Sequence, residues 1–254
     1  MSEINLDDFP DLSEDYIEQQ AEDLLRRYSS STGSETSPPI SAEVIAEQLL
    51  GYEIEITDKG LFSDPDYLGG IVFEDAVIKV NSSVEAHEGR YNFTIAHEIG
   101  HHVLHKQFYL DNRNENTGNI ICRETGSKPL VEQQADRFAA ALLMPDALVR
   151  DAYTRTLKSH PKLSSKKTLR ALRAFAAAVL KAGGFANVSN TAMVNRLIDL
   201  RLVSGAKYQT GTPQDFYPGE GYPRTGSISQ TLRWVTYMLL HPLRTLKQLR
   251  KYRK

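Results

Sequence analysis

The sequence predicts an α+β fold, and three patterns predict it. Residues 90–105 and 131–144 carry apolar side chains at helical spacing. Residues 52–56 alternate, and 70–74 with 76–81 form a pair of short extended segments around Glu74-Asp75, the pattern of a small antiparallel sheet. Residues 168–203 divide into three helical pieces. The expected organisation is an acidic N-terminal helix and linker over 1–40, a mixed domain over 41–155, a helical, helix-turn-helix-like subdomain over 156–205, and a Gly/Pro-rich connector with a basic amphipathic C-terminal helix over 206–254.

Each element has a local reason. Residues 12–28 place Leu12, Tyr16, Ile17, Ala21, Leu24 and Leu25 on one side of a helix. Ser29 to Pro39 is rich in Ser, Thr, Gly and Pro and reads as a linker or loop. Ser41 begins the next helix, Glu43 is its first-turn acid, and Leu50-Gly51 ends it. Tyr52 to Ile56 reads as a strand, and the two segments after it as a hairpin. Residues 111–130, with Asn112, Asn114, Asn116, Gly118 and Gly126, read as a flexible loop bordering a cleft. In Phe185 to Val203, Val188 closes a turn, Ser189 caps a helix, and Met193, Leu197 and Leu200 pack inward. A DNA-reading helix would present Asn190, Thr191 and Asn195 to the major groove, with Arg196 near phosphate. A packing subdomain or a docking surface for a protein is the favoured reading, because one basic stretch is weak evidence of DNA binding.

Within the first helical stretch, residues 97–101 read His97-Glu98-Ile99-Gly100-His101. This is the His-Glu-x-x-His pattern of zinc peptidases. Residues i and i+4 lie one above the other on a helix, so two imidazoles can converge on one ion. Glu98 sits roughly 100° further round and can reach an activated water without binding the metal. His102 points off that face. His105 is one further turn along it, in a supporting role to the ligands or simply at the surface.

A catalytic zinc site usually holds three protein ligands and leaves a fourth position for water. The helical stretch Val131 to Met144, stopped by Pro145, offers Glu132 and Asp136 at i, i+4 on one face. Alone, these would be two solvated acids favoured by a helix N-terminus. Beside the first motif, Glu132 is assigned as third ligand, and Asp136 as a carboxylate that accepts the outer N–H of a ligating histidine. Tyr109 and His160 are further candidates, as stabilisers of an oxyanion.

Two segments together resemble the ImmA/IrrE family of metallo-endopeptidases: Phe93-Thr-Ile-Ala-His-Glu-Ile-Gly-His-His-Val-Leu-His105 and Glu132-Gln-Gln-Ala-Asp-Arg-Phe-Ala-Ala-Ala-Leu-Leu-Met-Pro145. Pro39 to Tyr52 is similar to the family's leading helix, and the segments 69–73 and 76–81 fit its strand pair. The resemblance covers residues 15–205 and is specific in the two metal motifs. It implies a zincin-like peptidase domain with zinc (Zn2+) on two histidines and a glutamate. It also implies a protein substrate, since known members act on helix-turn-helix repressors. In zincin-like folds the strands lie beside the active helix, where an exposed edge can take an extended substrate by main-chain hydrogen bonds.

Composition bounds the rest. The 254 residues are 41% hydrophobic and 24% charged, ordinary for a globular chain. A single cysteine, Cys122, excludes an internal disulfide framework. The acidic start has neither the basic nor the apolar region of a secretory signal, and no apolar run approaches the roughly 20 residues of a spanning helix, so the cytoplasm is the expected compartment. The net charge of −2 conceals an asymmetry: residues 1–28 hold nine acids and two bases, 152–198 nine bases and no acid, and 227–254 seven bases and no acid. Such blocks suggest interaction surfaces. In residues 228–254, Leu243, Leu246, Leu249 and Tyr252 form a stripe against basic residues, which suits an anionic membrane surface, nucleic acid or the protein's own core. The expected function is zinc-dependent hydrolysis of a specific protein, a helix-turn-helix repressor, with Glu98 as general base. The competing class is a non-catalytic zinc-containing regulator that binds a repressor or DNA; an intact Glu98 favours the enzyme, since a structural site has no use for a base.

Overall fold

The computed structural model describes residues 9–64, 67–112, 120–123, 129–159 and 169–203. The chain groups into two compact units, Met1–Val203 and Ser204–Lys254. The second unit, with the connector and basic helix expected there, lies outside the described residues. The boundaries expected near residues 40 and 155 fall inside the first unit. Among the described residues no helix is long and apolar enough to cross a membrane.

The first helix, α1, spans Glu14–Thr32. The Ser13 hydroxyl accepts the Tyr16 N–H at 3.2 Å, and Glu14 and Asp15 complement the positive end of the helix. Its apolar stripe of Ile17, Ala21, Leu24 and Leu25 is buried. The helix runs past residue 28 into the stretch expected to be linker. The hydroxyls of Ser30, Ser31 and Thr32 donate back to carbonyls of Arg26 and Tyr28, which lets a Ser/Thr run stay helical, and Gly33 ends it with an N–H to Ser29 O at 2.9 Å. The helix α2 begins as Ala42–Val44 under a Ser41 cap and widens into a π turn, Ile45–Leu49.

Among the described residues four strands follow, in the order β1-β3-β2-β4. They are β1 (Glu53–Thr57), β2 (Tyr67–Val72), β3 (Val77–Asn81) and β4 (Ile120–Arg123). The hairpin β2–β3 is antiparallel, as is β2–β4, but β1 pairs parallel with β3, so the sheet is mixed rather than antiparallel throughout. The cause is connectivity: β1 is joined to β3 through the turn Gly60–Ser63 and the whole of β2, a crossover that reverses direction twice. The strand β4 corrects the reading of 111–130 as loop. Ile120-Ile121-Cys122-Arg123 is too short a run to show a period of two, yet it pairs with β2 from Ile71↔Ile120 to Tyr67↔Arg123. Both hairpin strands are therefore interior, and the edges belong to β1 and β4.

The short helix α3 (Ser82–Glu85) leads into α4 (Glu88–Gly100), a π turn at His101–His105, and α5 (Lys106–Asn112). Then come α6 (Leu130–Leu143), α7 (Asp146–Ser159), α8 (Leu169–Gly183) and α9 (Asn190–Asp199). The helix α4 packs against α6, α2, β2 and β3, and every residue from Thr94 to His101 is buried. This second half of the helix has no solvent face, so the apolar stripe of the sequence understates its burial. Asn92 fixes its position: its amide donates to Ile40 O at 3.1 Å and its carbonyl accepts the Ala42 N–H at 2.9 Å. On α6, Val131, Phe138 and Leu142 are fully buried, and Phe138→Ala would remove about 3–5 kcal/mol of packing. In α9, Ser189 caps through the Ala192 N–H, and Met193 and Leu197 are buried, while Leu200 is half-buried.

Candidate metal centre

Two glycines set the spacing of the site. A Cβ on Gly100 would lie 3.1 Å from Ala135 Cα and 3.2 Å from Ala135 O. Its absence lets α4 and α6 approach backbone to backbone, which carries Glu132 toward the histidines. A Cβ on Gly69 would lie 2.5 Å from Thr94 Cγ2 and 2.8 Å from Glu98 Oε1, so β2 runs directly against the Glu98 carboxylate. Glu98 is fully buried.

His97 Nε2 and His101 Nε2 are 3.0 Å apart. Glu132 Oε2 is 3.3 Å from the first and Glu132 Oε1 3.3 Å from the second. All three residues are buried, and their ligand atoms lie within 4.8 Å of one another, the one group of this kind among the described residues. His97 Nδ1 donates to Asp136 Oδ1 at 2.9 Å. Thus Glu132 and Asp136, one turn apart on α6, hold opposite sides of the same imidazole. Donors bound tetrahedrally at about 2.0–2.1 Å from one ion lie roughly 3.3 Å from each other, so the measured separations fit a small divalent cation.

The electrostatics agree. Burial alone would lower the His97 pKa, but hydrogen bonds and charge from Asp136 and Glu132 outweigh it and raise the ring to about 10. Burial would raise Glu132, but His101 and His97 hold its carboxyl well below the usual range. The convergence of donors therefore attracts positive charge, whether proton or metal.

The remaining candidates separate. His105 is buried, not at the surface, with Nδ1 3.0 Å from His101 Nδ1 and Nε2 2.9 Å from Gln134 Oε1. Four residues of α-helix overshoot one turn by about 40°, whereas four residues of a wider π turn fall short of one, so the His101–His105 turn swings His105 back into line. Burial, and after it the neighbouring His101, push His105 down to about 3. His102 points elsewhere, with Nδ1 2.8 Å from the Tyr52 hydroxyl, and burial lowers it to about 4. Tyr109 is buried against Phe73, ring centroids 5.1 Å apart. His160 lies outside the described residues. The sequence reading missed Gly69, Asn92 and Gln134. The Gly69-Gly70 pair inside a strand was a usable signal of close backbone approach; a lone Asn or Gln in a helix carried none.

Arg196 is also placed differently from expectation. It is 1% exposed, donates from Nε to Met144 O at 2.9 Å, and forms a two-pronged ion pair with Glu18 on α1, with Nη2 to Oε2 at 2.8 Å. It is not available to a phosphate, because its guanidinium joins α9 to α1 and the end of α6.

A mixed α+β body thus carries a buried His/His/Glu cluster that could hold a metal ion. Residues 61–177 match the family model of the IrrE N-terminal-like domain of peptidase family M78, a span that includes α4 and α6. Over these residues the chain is similar to metallopeptidases of the ImmA/IrrE family. No curated protein matches the chain.

Proposed function

We infer that the protein is a zinc-dependent endopeptidase. In this reading His97, His101 and Glu132 hold the ion, Asp136 orients His97, and Glu98 is the general base. The carrying observation is the convergence of His97, His101 and Glu132 within 4.8 Å, beside the buried Glu98 carboxylate. A bound zinc ion supplies Lewis acidity, polarising a carbonyl and acidifying water. Glu98 takes a proton from the attacking water as the new C–O bond forms. It then delivers that proton to the amine nitrogen as the C–N bond breaks. The wall formed by β2 at Gly69 excludes solvent from one side of that carboxylate.

The substrate is a helix-turn-helix transcriptional repressor, a reading supported by the family's known targets. The strand β4, next to β2 and last in the strand order among the described residues, is the edge suited to receiving an extended segment by strand addition. The test is co-expression of the protein, or of Glu98→Gln, with a candidate helix-turn-helix repressor, reading repressor length on a blot. Glutamine keeps the shape but accepts no proton at neutral pH, so cleavage should fall about 10²–10⁴-fold while metal content is retained. Relief of repression by Glu98→Gln with the repressor intact would replace the peptidase by a regulator that acts through binding.

A further inference from the structure

Beyond His101, the buried His105 and Gln134 form a line, ending on the Pro10 carbonyl, that the chemistry above does not use. His101 Nδ1 is 3.0 Å from His105 Nδ1, His105 Nε2 is 2.9 Å from Gln134 Oε1, and Gln134 Nε2 is 2.9 Å from the Pro10 carbonyl. Both histidines are fully buried and Gln134 is 3% exposed.

The proton positions follow from the far end. A carbonyl oxygen only accepts, so the Gln134 group facing Pro10 is the amide NH₂ and the group facing His105 is the amide oxygen. That oxygen requires an N–H at His105 Nε2. The two ring nitrogens of His105 face His101 and Gln134, neither of them an acid, and the edge-on ring of Phe9 lies 5.6 Å away. A neutral imidazole has one N–H, already placed at Nε2, so His105 Nδ1 is an acceptor. His101 Nδ1 must then carry a proton, and in the neutral ring that metal binding requires, the lone pair lies on Nε2. That is the atom 3.0 Å from His97 Nε2 and 3.3 Å from Glu132 Oε1.

We propose that Pro10, Gln134 and His105 form a relay that holds His101 in the Nδ1–H tautomer and so presents the Nε2 lone pair to the metal. His105 and Gln134 are positioning residues, and the segment before α1 sets the direction of the chain of hydrogen bonds. The metal half of this statement rests on His101 being a ligand; the tautomer half does not.

The experiment uses the full chain stripped of metal. Long-range ¹H–¹⁵N correlations of the imidazole rings report the tautomers of His101 and His105, and competition with a chromophoric chelator reports zinc affinity. The wild type should show His101 as Nδ1–H and His105 as Nε2–H. His105→Asn keeps an acceptor near the Nδ1 position and should retain the His101 tautomer and most of the zinc affinity. His105→Phe keeps the ring shape without the acceptor, and Gln134→Met removes the acceptor for His105. Both should mix the His101 tautomers and weaken zinc about 10–100-fold. A purely packing role gives the opposite order, with Phe better than Asn. That order, or a wild-type His101 protonated at Nε2, overturns the relay. A wild type with the expected tautomers but no zinc affinity removes the metal reading and leaves the relay standing.

Discussion

Two helix pairs among the described residues anchor polar side chains, and they do so differently. Between α4 and α6 the buried groups face one another: His97, His101 and Glu132 converge, with Asp136, His105 and Gln134 behind them. Around α8 and α9 they end on backbone carbonyls or on a single opposite charge. Arg196 meets Met144 O and Glu18, Asn187 donates to Ile40 O at 2.7 Å, and Asn190 to Arg173 O at 3.0 Å. Groups that terminate on main chain hold elements together, and their donor atoms do not converge on one point. Groups whose donor atoms share one point repel unless a cation joins them. The difference separates a pair that could hold a cation from one that only ties elements together.

The comparison breaks most severely at Gly100. Gly100→Leu should drive α4 from α6, because the nearest obstacle to its Cβ is the Ala135 backbone and not a flexible side-chain tip. Loss of metal binding in a calorimetric titration is expected, with a stability loss beyond the about 1–3 kcal/mol of ordinary overpacking. A variant that binds metal as tightly as wild type would show that the helix spacing does not set the site.

The second pair breaks at Arg196. Arg196→Met leaves Glu18 without its main partner, and about 2–3 kcal/mol should be lost in chemical denaturation. This is below the ~3–5 of a fully enclosed pair, because Glu18 keeps a quarter of its side-chain surface in water. Metal affinity of the folded variant should not change. A large loss of affinity would mean that the two helix pairs are coupled.

A third variant sharpens the contrast within the site. Asp136→Asn still accepts from His97 Nδ1 but removes the charge. Zinc affinity at pH 9 should fall about tenfold, at the low end of losses for groups that orient ligands. The pH dependence has a definite sign. The His97 pKa is raised above its unfolded value of 6.5 to about 10, so in the metal-free protein its protonated form contributes stability that is complete below pH 6.5 and lost as pH rises toward 10. A metal must displace that proton. Wild-type affinity should therefore climb about tenfold per pH unit between 7 and 9, and the Asp136→Asn curve should flatten. Equal slopes in a non-coordinating buffer would remove Asp136 from this role.

The smallest effect is expected on DNA. With Arg196 enclosed, Arg196→Met should leave any duplex affinity of the helix pair unchanged, and that affinity should collapse between low and physiological salt, as a phosphate-dominated contact does. Tight binding that Arg196→Met abolishes would contradict its burial.

What was legible in the sequence was whatever has a short period. His97, Glu98 and His101 announce themselves because helical geometry forces their spacing, and Glu132 with Asp136 does so for the same reason. The hairpin and the Ser41 and Ser189 caps are equally local. The parallel pairing of β1 with β3 depends on the path between them and has no local sign. Four residues of β4 cannot display alternation. The role of His105 required the π turn, which the sequence does not mark. Arg196 misled because a basic residue on a helix is usually solvated, and only the tertiary position of Glu18 reverses that expectation.

His101 and Glu132 stand on different helices, separated by about 30 residues of chain, so an ion held by both closes a loop in the polypeptide much as a crosslink does. The ion becomes a removable staple, and folding becomes a gauge of its concentration. At free metal a thousandfold above the dissociation constant the folded state gains about 4.1 kcal/mol, and at low metal it gains almost nothing. A cell that lowers available zinc would then reduce both the activity of such a protein and its lifetime against other proteases.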